Sequence, residues 1–367
     1  MSTKLELPEG VPPLLTYYIY MTAGCNLACR HCWIAPQFLR NGGTGGHLDF
    51  ELYKIAIEEG LPLGLSNIKY TGGEPVLHPD FVKMVDYATE KGLSSRMESN
   101  GTLITREIAQ HLKSHTAMSF ISVSLDGVEA ATHDYMRNVP GAFERAVRGI
   151  SYLVEAGYRP QVIISLFKRN VPEIEAFVKW AVDMGCGSVK FNLIQDSGRG
   201  TQLKQHEGVA VPEYIEIGNW IEKELQAQVP IPLVYSWPMA FQGLSQLNHD
   251  RANICGVFNI LGILSSGHLA MCGIGTQEKD LVYGRLGEDR LADIWANSPM
   301  LQDLRASMPG KLEGVCRDCI LNQICLGYCV AQNYFATGQL TAANTFCEQA
   351  LEAGLFPVSR LRNLQPT

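Results

Sequence analysis

Cys25-Asn26-Leu27-Ala28-Cys29-Arg30-His31-Cys32 follows closely on the apolar run Leu14-Leu15-Thr16-Tyr17-Tyr18-Ile19-Tyr20-Met21. Its three thiols stand at a Cys-x3-Cys-x2-Cys spacing on one short loop. Three such thiolates can hold three irons of a [4Fe–4S] cube, which leaves the fourth iron without a protein ligand. An open iron is a place for a substrate or cofactor to bind. Zinc is the competing reading, but a structural zinc site is closed by four ligands, usually in two separated pairs. No fourth ligand stands near this triplet.

Outward from the loop, the chain repeats strand and helix signals. After the strand over 14–21, short apolar or alternating runs predict strands over 67–70, 93–97, 120–125, 161–167 and 188–194. Helical spacing covers 49–59, 80–91, 105–114, 142–156 and 172–184, with Asp80 beside a proline as the cap of the second. Six strands alternating with helices imply a parallel sheet with right-handed crossovers, an α/β partial (β/α)6 barrel of TIM type. Its site belongs at the C-terminal ends of the strands. The candidate motifs all fall there: the cysteine loop, Thr71-Gly72-Gly73-Glu74-Pro75, Glu98-Ser99-Asn100-Gly101, Ser124-Leu125-Asp126-Gly127 and Gln195-Asp196-Ser197-Gly198-Arg199-Gly200.

The cysteine triplet, with His31 just before its last thiol and the Gly-Gly-Glu-Pro turn next to it, resembles the signature of the radical S-adenosylmethionine (radical SAM) superfamily. The resemblance implies that the amino and carboxyl groups of S-adenosylmethionine chelate the open iron at Cys25, Cys29 and Cys32, and that one-electron reduction yields a 5′-deoxyadenosyl radical. It implies further that Gly72, Gly73, Glu74 and Pro75 receive the cofactor's amino group. Ser124 resembles the serine that contacts its ribose or carboxylate. His31 is expected against the adenine, or else is a plain loop histidine. Arg137 has the planar fork to pair with the cofactor's carboxylate, or else lies on a helix surface. Asn100 is a hydrogen-bonding candidate at the same rim, although Asn-Gly is also a good turn.

Composition fits a large folded enzyme. The 367 residues are 46% hydrophobic and 18% charged, enough for a barrel with an appended domain. A net charge of −7 gives no broad basic surface for nucleic acid. No apolar run approaches the roughly 20 residues of a membrane span, and the N-terminus lacks a secretory core, so the expectation is a cytoplasmic protein. Its eleven cysteines then call for metal rather than disulfides. Cys186, alone between the two cysteine-rich regions, is expected as a buried structural thiol. The glycine-rich stretch from Asn41 to Gly46 reads as a surface loop.

Residues 1–13 read as an N-terminal extension and 14–210 as the barrel. In 211–250, a helical run broken by Pro230, Pro232 and Pro238 reads as a connector, with a cysteine-rich domain over 251–367. There Cys255 and Cys272 flank a predicted β-hairpin, and Cys316-x2-Cys319-x5-Cys325-x3-Cys329 is followed by Cys347. The spacing resembles the SPASM domain, the auxiliary-cluster module of radical SAM enzymes that modify peptides; zinc knuckles are the alternative. The resemblance implies a first auxiliary [4Fe–4S] cluster on Cys255, Cys272 and Cys329, with one iron lacking a cysteine. A second would be closed by Cys316, Cys319, Cys325 and Cys347.

These features together lead to an expected oxidative maturase of a ribosomal peptide or protein, forming a thioether or C–C crosslink or an oxidised side chain, with flavodoxin or ferredoxin as electron donor. Twenty-four residues precede Cys25, too few for a fused leader-recognition domain, so a separate recognition protein is a candidate partner. The rivals are a sulfatase-maturing enzyme, disfavoured because Gly273 stands where those enzymes commonly place an Asp; a haem-pathway enzyme acting on a tetrapyrrole; and a non-catalytic iron–sulfur module.

Overall fold

The computed structural model describes residues 5–40, 43–243, 247 and 255–362. Residues 1–4, Asn41 and Gly42 of the glycine loop, the end of the expected connector and the first four residues of the expected C-terminal domain lie outside that set. The predicted strands form β1 (Thr16–Tyr20), β2 (Asn67–Thr71), β3 (Ser94–Ser99), β4 (Met118–Ser124), β5 (Gln161–Leu166) and β6 (Ser188–Leu193). They pair in parallel in that order. The intervening helices are α1 (Phe50–Gly60), α2 (Phe81–Glu90), α3 (Arg106–His115), α4 (Ala130–Arg137), α5 (Ala142–Glu155) and α6 (Ile174–Asp183). Local chemistry sets their starts: Asp49 accepts from the N–H groups of Glu51 and Leu52 at 2.8 and 3.2 Å, and Thr105 caps α3 through the Ile108 N–H at 3.2 Å. α4 has no counterpart among the predicted helices, because its apolar stripe is too short to show a period.

The sheet runs further than six strands. After β6 come α7 (Gly200–Glu207) and α8 (Val211–Lys223), and then β7 (Leu233–Tyr235), which pairs parallel to β6. The stretch expected as a connector therefore continues the strand–helix alternation; its prolines flank β7 rather than exclude it. At the other edge, β8 (Ile260–Ile263) pairs parallel to β1, and β9 (His268–Ala270) and β10 (Val282–Arg285) follow antiparallel. The cysteine-rich hairpin thus joins the barrel sheet, in the order β10-β9-β8-β1-β2-β3-β4-β5-β6-β7. The sheet is open, its end strands unpaired with each other.

The two faces of the sheet differ in kind. Residues pointing outward under the helices, among them Tyr17, Ile19, Ile68, Tyr70, Ile121, Val162 and Phe191, are at most 1% exposed. Tyr53 on α1 and Tyr70 on β2 join hydroxyls at 2.7 Å within this layer. The inward set is mostly polar: Tyr18, Tyr20, Lys69, Thr71, Arg96, Glu98, Ser122, Ser124, Ser165, Lys190 and Asn192, with Phe120 and Ile163 among them. A closed TIM barrel fills this space with branched apolar side chains. Here the concave face is left as a polar chamber. The remaining helices, α9 (Leu291–Asn297), α10 (Pro299–Ser307), α11 (Gly314–Asp318), α12 (Asn322–Cys325), α13 (Val330–Thr337) and α14 (Thr345–Glu352), are short and carry the C-terminal thiols.

Candidate active site

The cysteine loop leaves the C-terminal end of β1 and rests on the C-terminus of α4. The Ala28 and Arg30 N–H groups donate to the carbonyls of Arg137 and Met136 at 3.1 and 2.9 Å. These are orphan carbonyls of the helix end, the negative pole of its dipole, where the Arg30 side chain also sits, donating to the Tyr135 carbonyl at 2.9 Å. From the far side Arg199 clamps the loop, its Nε donating to the Cys29 carbonyl at 2.8 Å and its Nη1 to the Pro36 carbonyl at 3.1 Å. Arg199 lay in a quoted motif, yet nothing in the sequence said that it faced Cys29, 170 residues earlier.

Three donors aim at the sulfurs. The Leu27 N–H lies 3.4 Å and Asn100 Nδ2 3.7 Å from Cys25 Sγ, and Arg137 Nη1 lies 3.6 Å from Cys29 Sγ. Burial, followed by the neighbouring Cys29, pushes the Cys25 and Cys32 thiols up, Cys32 to about 11. As bare thiols they stay protonated at neutral pH; bound iron charge reverses that balance.

The Gly-Gly-Glu-Pro turn sits beside this loop. Gly72 holds φ +122°, and a Cβ on Gly73 would fall on the Gly24 carbonyl. Only bare backbone fits there, which leaves room for a ligand to approach the turn. The Glu74 carboxylate was expected to take an ammonium group. It lines the cavity but is fully buried, accepting from Ser99 Oγ at 2.7 Å, the Asn100 N–H at 2.8 Å and the Val76 N–H at 3.3 Å. It ties the ends of β2 and β3 together. Burial raises its carboxyl to about 6 against the pull of those hydrogen bonds. Pro75 opens the single turn that follows.

Arg137 was weighed as a partner for a ligand carboxylate or as a surface residue. It is buried, with Nη2 2.8 Å from Asp126 Oδ2, so its charge is already matched inside the protein. Asp126, which the sequence quoted only as part of a strand-end motif, is the missed partner. Asn100 is likewise locked, donating to Asn26 Oδ1 at 2.9 Å and accepting from the Thr102 hydroxyl at 2.7 Å. His31 and Ser124 face the chamber. Burial, with Arg137 and Arg199 adding to it and Asp126 opposing, lowers His31 to about 4, so the ring is neutral at neutral pH.

One cavity of about 310 Å³ joins these groups to the second cysteine set. Cys25, Cys29 and Cys32 line it together with Cys255, Cys272 and Cys329, and so do Tyr18, Tyr20 and the Lys69–Glu98 ion pair (2.7 Å). Cys316, Cys319, Cys325 and Cys347 line a separate small pocket. There the Asn344 N–H points at Cys316 Sγ and the Leu321 N–H at Cys319 Sγ, each at 3.4 Å. Cys186 is buried away from all three groups, its thiol raised to about 12 by burial.

Among the described residues no three His, Cys, Asp or Glu side chains converge as ligands of a single ion. A cube asks something different, since each thiolate binds its own iron around a shared volume, and that is how the thiols stand. His31 Nδ1, Arg137 Nε and Arg199 Nη2 are buried without hydrogen-bond partners beside the first trio. Orphaned polar atoms against a cavity suit a polar ligand.

A polar parallel barrel whose strand ends present three thiols and a bare glycine turn to one chamber defines an iron–sulfur enzyme that handles a polar cofactor. The family comparison agrees: residues 19–181 match the radical SAM superfamily and 255–320 the SPASM iron–sulfur cluster-binding domain. The chain is 30% identical over 342 residues to an AdoMet-dependent heme synthase of Methanosarcina barkeri, covering 89% of this chain and 94% of that protein. It is 27% identical over 354 residues to the mycofactocin maturase MftC of Mycobacterium tuberculosis, covering 94% and 85%. In fold it is similar to Streptococcus suis SuiB bound to S-adenosylmethionine (TM-score 0.73, 16% identity, 92% of this chain and 78% of that one). It is also similar to native anSMEcpe with bound AdoMet (TM-score 0.69, 16% identity, 92% and 95%). The chain belongs to the radical SAM superfamily, with a SPASM domain, and its cofactors are S-adenosylmethionine and [4Fe–4S] clusters. No described helix is long and apolar enough to cross a membrane.

Proposed function

We propose that this enzyme oxidatively modifies a ribosomally made peptide or protein, forming a thioether or carbon–carbon crosslink or an oxidised side chain. Bound at Cys25, Cys29 and Cys32, the cluster and S-adenosylmethionine supply a radical that takes hydrogen from an unactivated C–H bond. In this reading Gly72 and Gly73 offer backbone to the cofactor, Glu74 and Asn100 fix the strand ends around it, and His31 and Ser124 contact it. Arg137, paired with Asp126 and donating to Cys29, keeps its unpartnered Nε for the cofactor.

The observation that carries the reading is the single cavity lined by both cysteine trios. A substrate held between them is within reach of the radical on one side and of an electron acceptor on the other. Cys255, Cys272 and Cys329 would hold the first auxiliary cluster with one iron free of cysteine. Cys316, Cys319, Cys325 and Cys347 would close the second, and a flavodoxin or ferredoxin would exchange electrons with the enzyme. Full-length similarity to the mycofactocin maturase supports a peptide substrate.

A second reading, a tetrapyrrole substrate, is favoured by the 30% identity to a heme synthase. A sulfatase-maturing role gains nothing from the site: a side chain at Gly273 would run into the Tyr20 ring. Anaerobic incubation with dithionite, S-adenosylmethionine and either a peptide encoded beside the gene or Fe-coproporphyrin III decides between the first two. Peptide maturation gives 5′-deoxyadenosine and a peptide lighter by two hydrogens. Product from the tetrapyrrole alone overturns it.

A further inference from the structure

The chain is acidic overall, with a net charge of −7, yet the concave face of its sheet is cationic. On β2, β3 and β6 the inward positions carry Lys69, Arg96 and Lys190 against one carboxylate, Glu98. Lys69 and Glu98 form the 2.7 Å pair in the cavity wall, and the Lys69 ammonium lies 4.8 Å from the centre of the Tyr18 ring. Burial raises the Glu98 carboxyl, but Lys69 and then Lys190 outweigh it, and the net shift is downward. Lys69 also faces the sulfurs of Cys255 and Cys272, whose cluster would claim part of its charge. Lys190, lowered by burial, shares Glu98 with Lys69; Arg96 has no such claimant. Among the described residues neither ends in a hydrogen bond or a salt bridge.

Arg96 stands opposite Lys69 in the β2–β3 register and opposite Phe120 in the β3–β4 register. Phe120 is 38% exposed, a large ring left uncovered on the same face. An exposed, unmatched Arg96 and a Lys190 that only shares a carboxylate stand with an open aromatic ring on the face that carries the chamber's Lys69–Glu98 pair, and together they describe a recognition surface. Desolvating such cations is favourable only when an anion arrives with the ligand.

We propose that the concave face is a specificity site for a substrate carrying carboxylate next to an apolar or aromatic body, with Arg96 and Lys190 receiving the carboxylate and Phe120 the apolar part. The inference rests on the proposed radical SAM reaction only in taking the cavity as the substrate chamber, with Arg96, Lys190 and Phe120 on the same sheet face outside its lining. It names a chemistry shared by two sources, an acidic peptide and the carboxylate side chains of a tetrapyrrole.

The test uses anaerobically reconstituted full-length protein and two pairs of fluorescent probes. One pair is coproporphyrin and its tetra-amide. The other is a dansylated Phe-Glu-Phe-Glu peptide and its Phe-Gln-Phe-Gln counterpart, both C-terminally amidated. The acid member of at least one pair is expected to bind about tenfold or more tighter than its amide, with the preference shrinking as salt is raised. Whichever pair shows it names the source. Arg96→Gln, at an exposed position with no internal partner, and Lys190→Met should each weaken acid binding about three- to tenfold and leave amide binding alone. Equal binding of acid and amide in both pairs, or a double variant that still prefers the acid as the parent does, overturns the proposal. 5′-Deoxyadenosine formation by the parent protein is scored separately. Cofactor cleavage without acid preference removes this inference and leaves the enzyme reading standing; acid preference without cofactor cleavage does the reverse.

Discussion

Replacing Arg137 by Met removes the one cation that matches Asp126 while keeping most of the side-chain volume. Both partners are buried, their side chains 6% and 0% exposed. In the variant Asp126 keeps the Ser165 N–H at 3.0 Å but loses its counter-charge. Breaking one half of a buried pair costs about 3–5 kcal/mol. Loss of the donor to Cys29 Sγ adds a local effect at the cluster. Burial raises the Asp126 carboxyl, but Arg137 outweighs it, with His31 and His133 helping, and the native group lies below the usual range. The pair's stabilisation is therefore fully present above the unfolded carboxylate value, near pH 3.9, and is lost as pH falls from there through the lower native value. In Arg137→Met burial outweighs the remaining Ser165 N–H and lifts Asp126 toward neutrality, so the stability gap between parent and variant widens as pH rises from about 5 to 8. Anaerobic urea unfolding across that range measures it. The double variant Asp126→Asn/Arg137→Met should recover a large part of the loss, because no buried charge remains. A gap under about 1 kcal/mol, a gap that narrows with rising pH, or a double variant no better than the single would refute the reasoning.

Further outcomes follow from the same geometry. Glu74→Ala leaves the Ser99 hydroxyl and the Asn100 and Val76 N–H groups without their acceptor, at about 1–3 kcal/mol for each of the two shorter bonds, and thermal unfolding should shift downward accordingly. Gly73→Ala drives a methyl into the Gly24 carbonyl and should lower iron bound at the first trio, read by iron and sulfide analysis. Cys329→Ala should remove about four irons per chain while cofactor cleavage persists; unchanged iron content would dissolve the assigned ligand set. Cys186→Ala should leave iron content and cofactor cleavage unchanged and cost only the stability of a small buried thiol, about 1 kcal/mol.

The alternation of strands and helices, the Cys-x3-Cys-x2-Cys loop and the glycine turn were legible because each is local: a period of two or of 3.6, a fixed spacing, a cap. That was enough for the sheet order of β1 to β6 and for the rim on which the motifs stand. The sequence could not say which groups use up one another's charge. Glu74 read as a cofactor ligand, and Arg137 and Asn100 as ligands or as a helix-surface arginine and a turn; in the fold all three line the cavity, the first also tied to β3, the second to Asp126 and the third to Asn26 and Thr102. Those pairings join residues that are distant in the chain, and only the register of parallel strands brings them together. The same holds for the hairpin behind Cys255, whose docking against β1 brings two cysteine sets, more than 200 residues apart in the chain, into the lining of one chamber. Spacing determined which thiols could act together; parallel pairing, which no local pattern encodes, decided what they face.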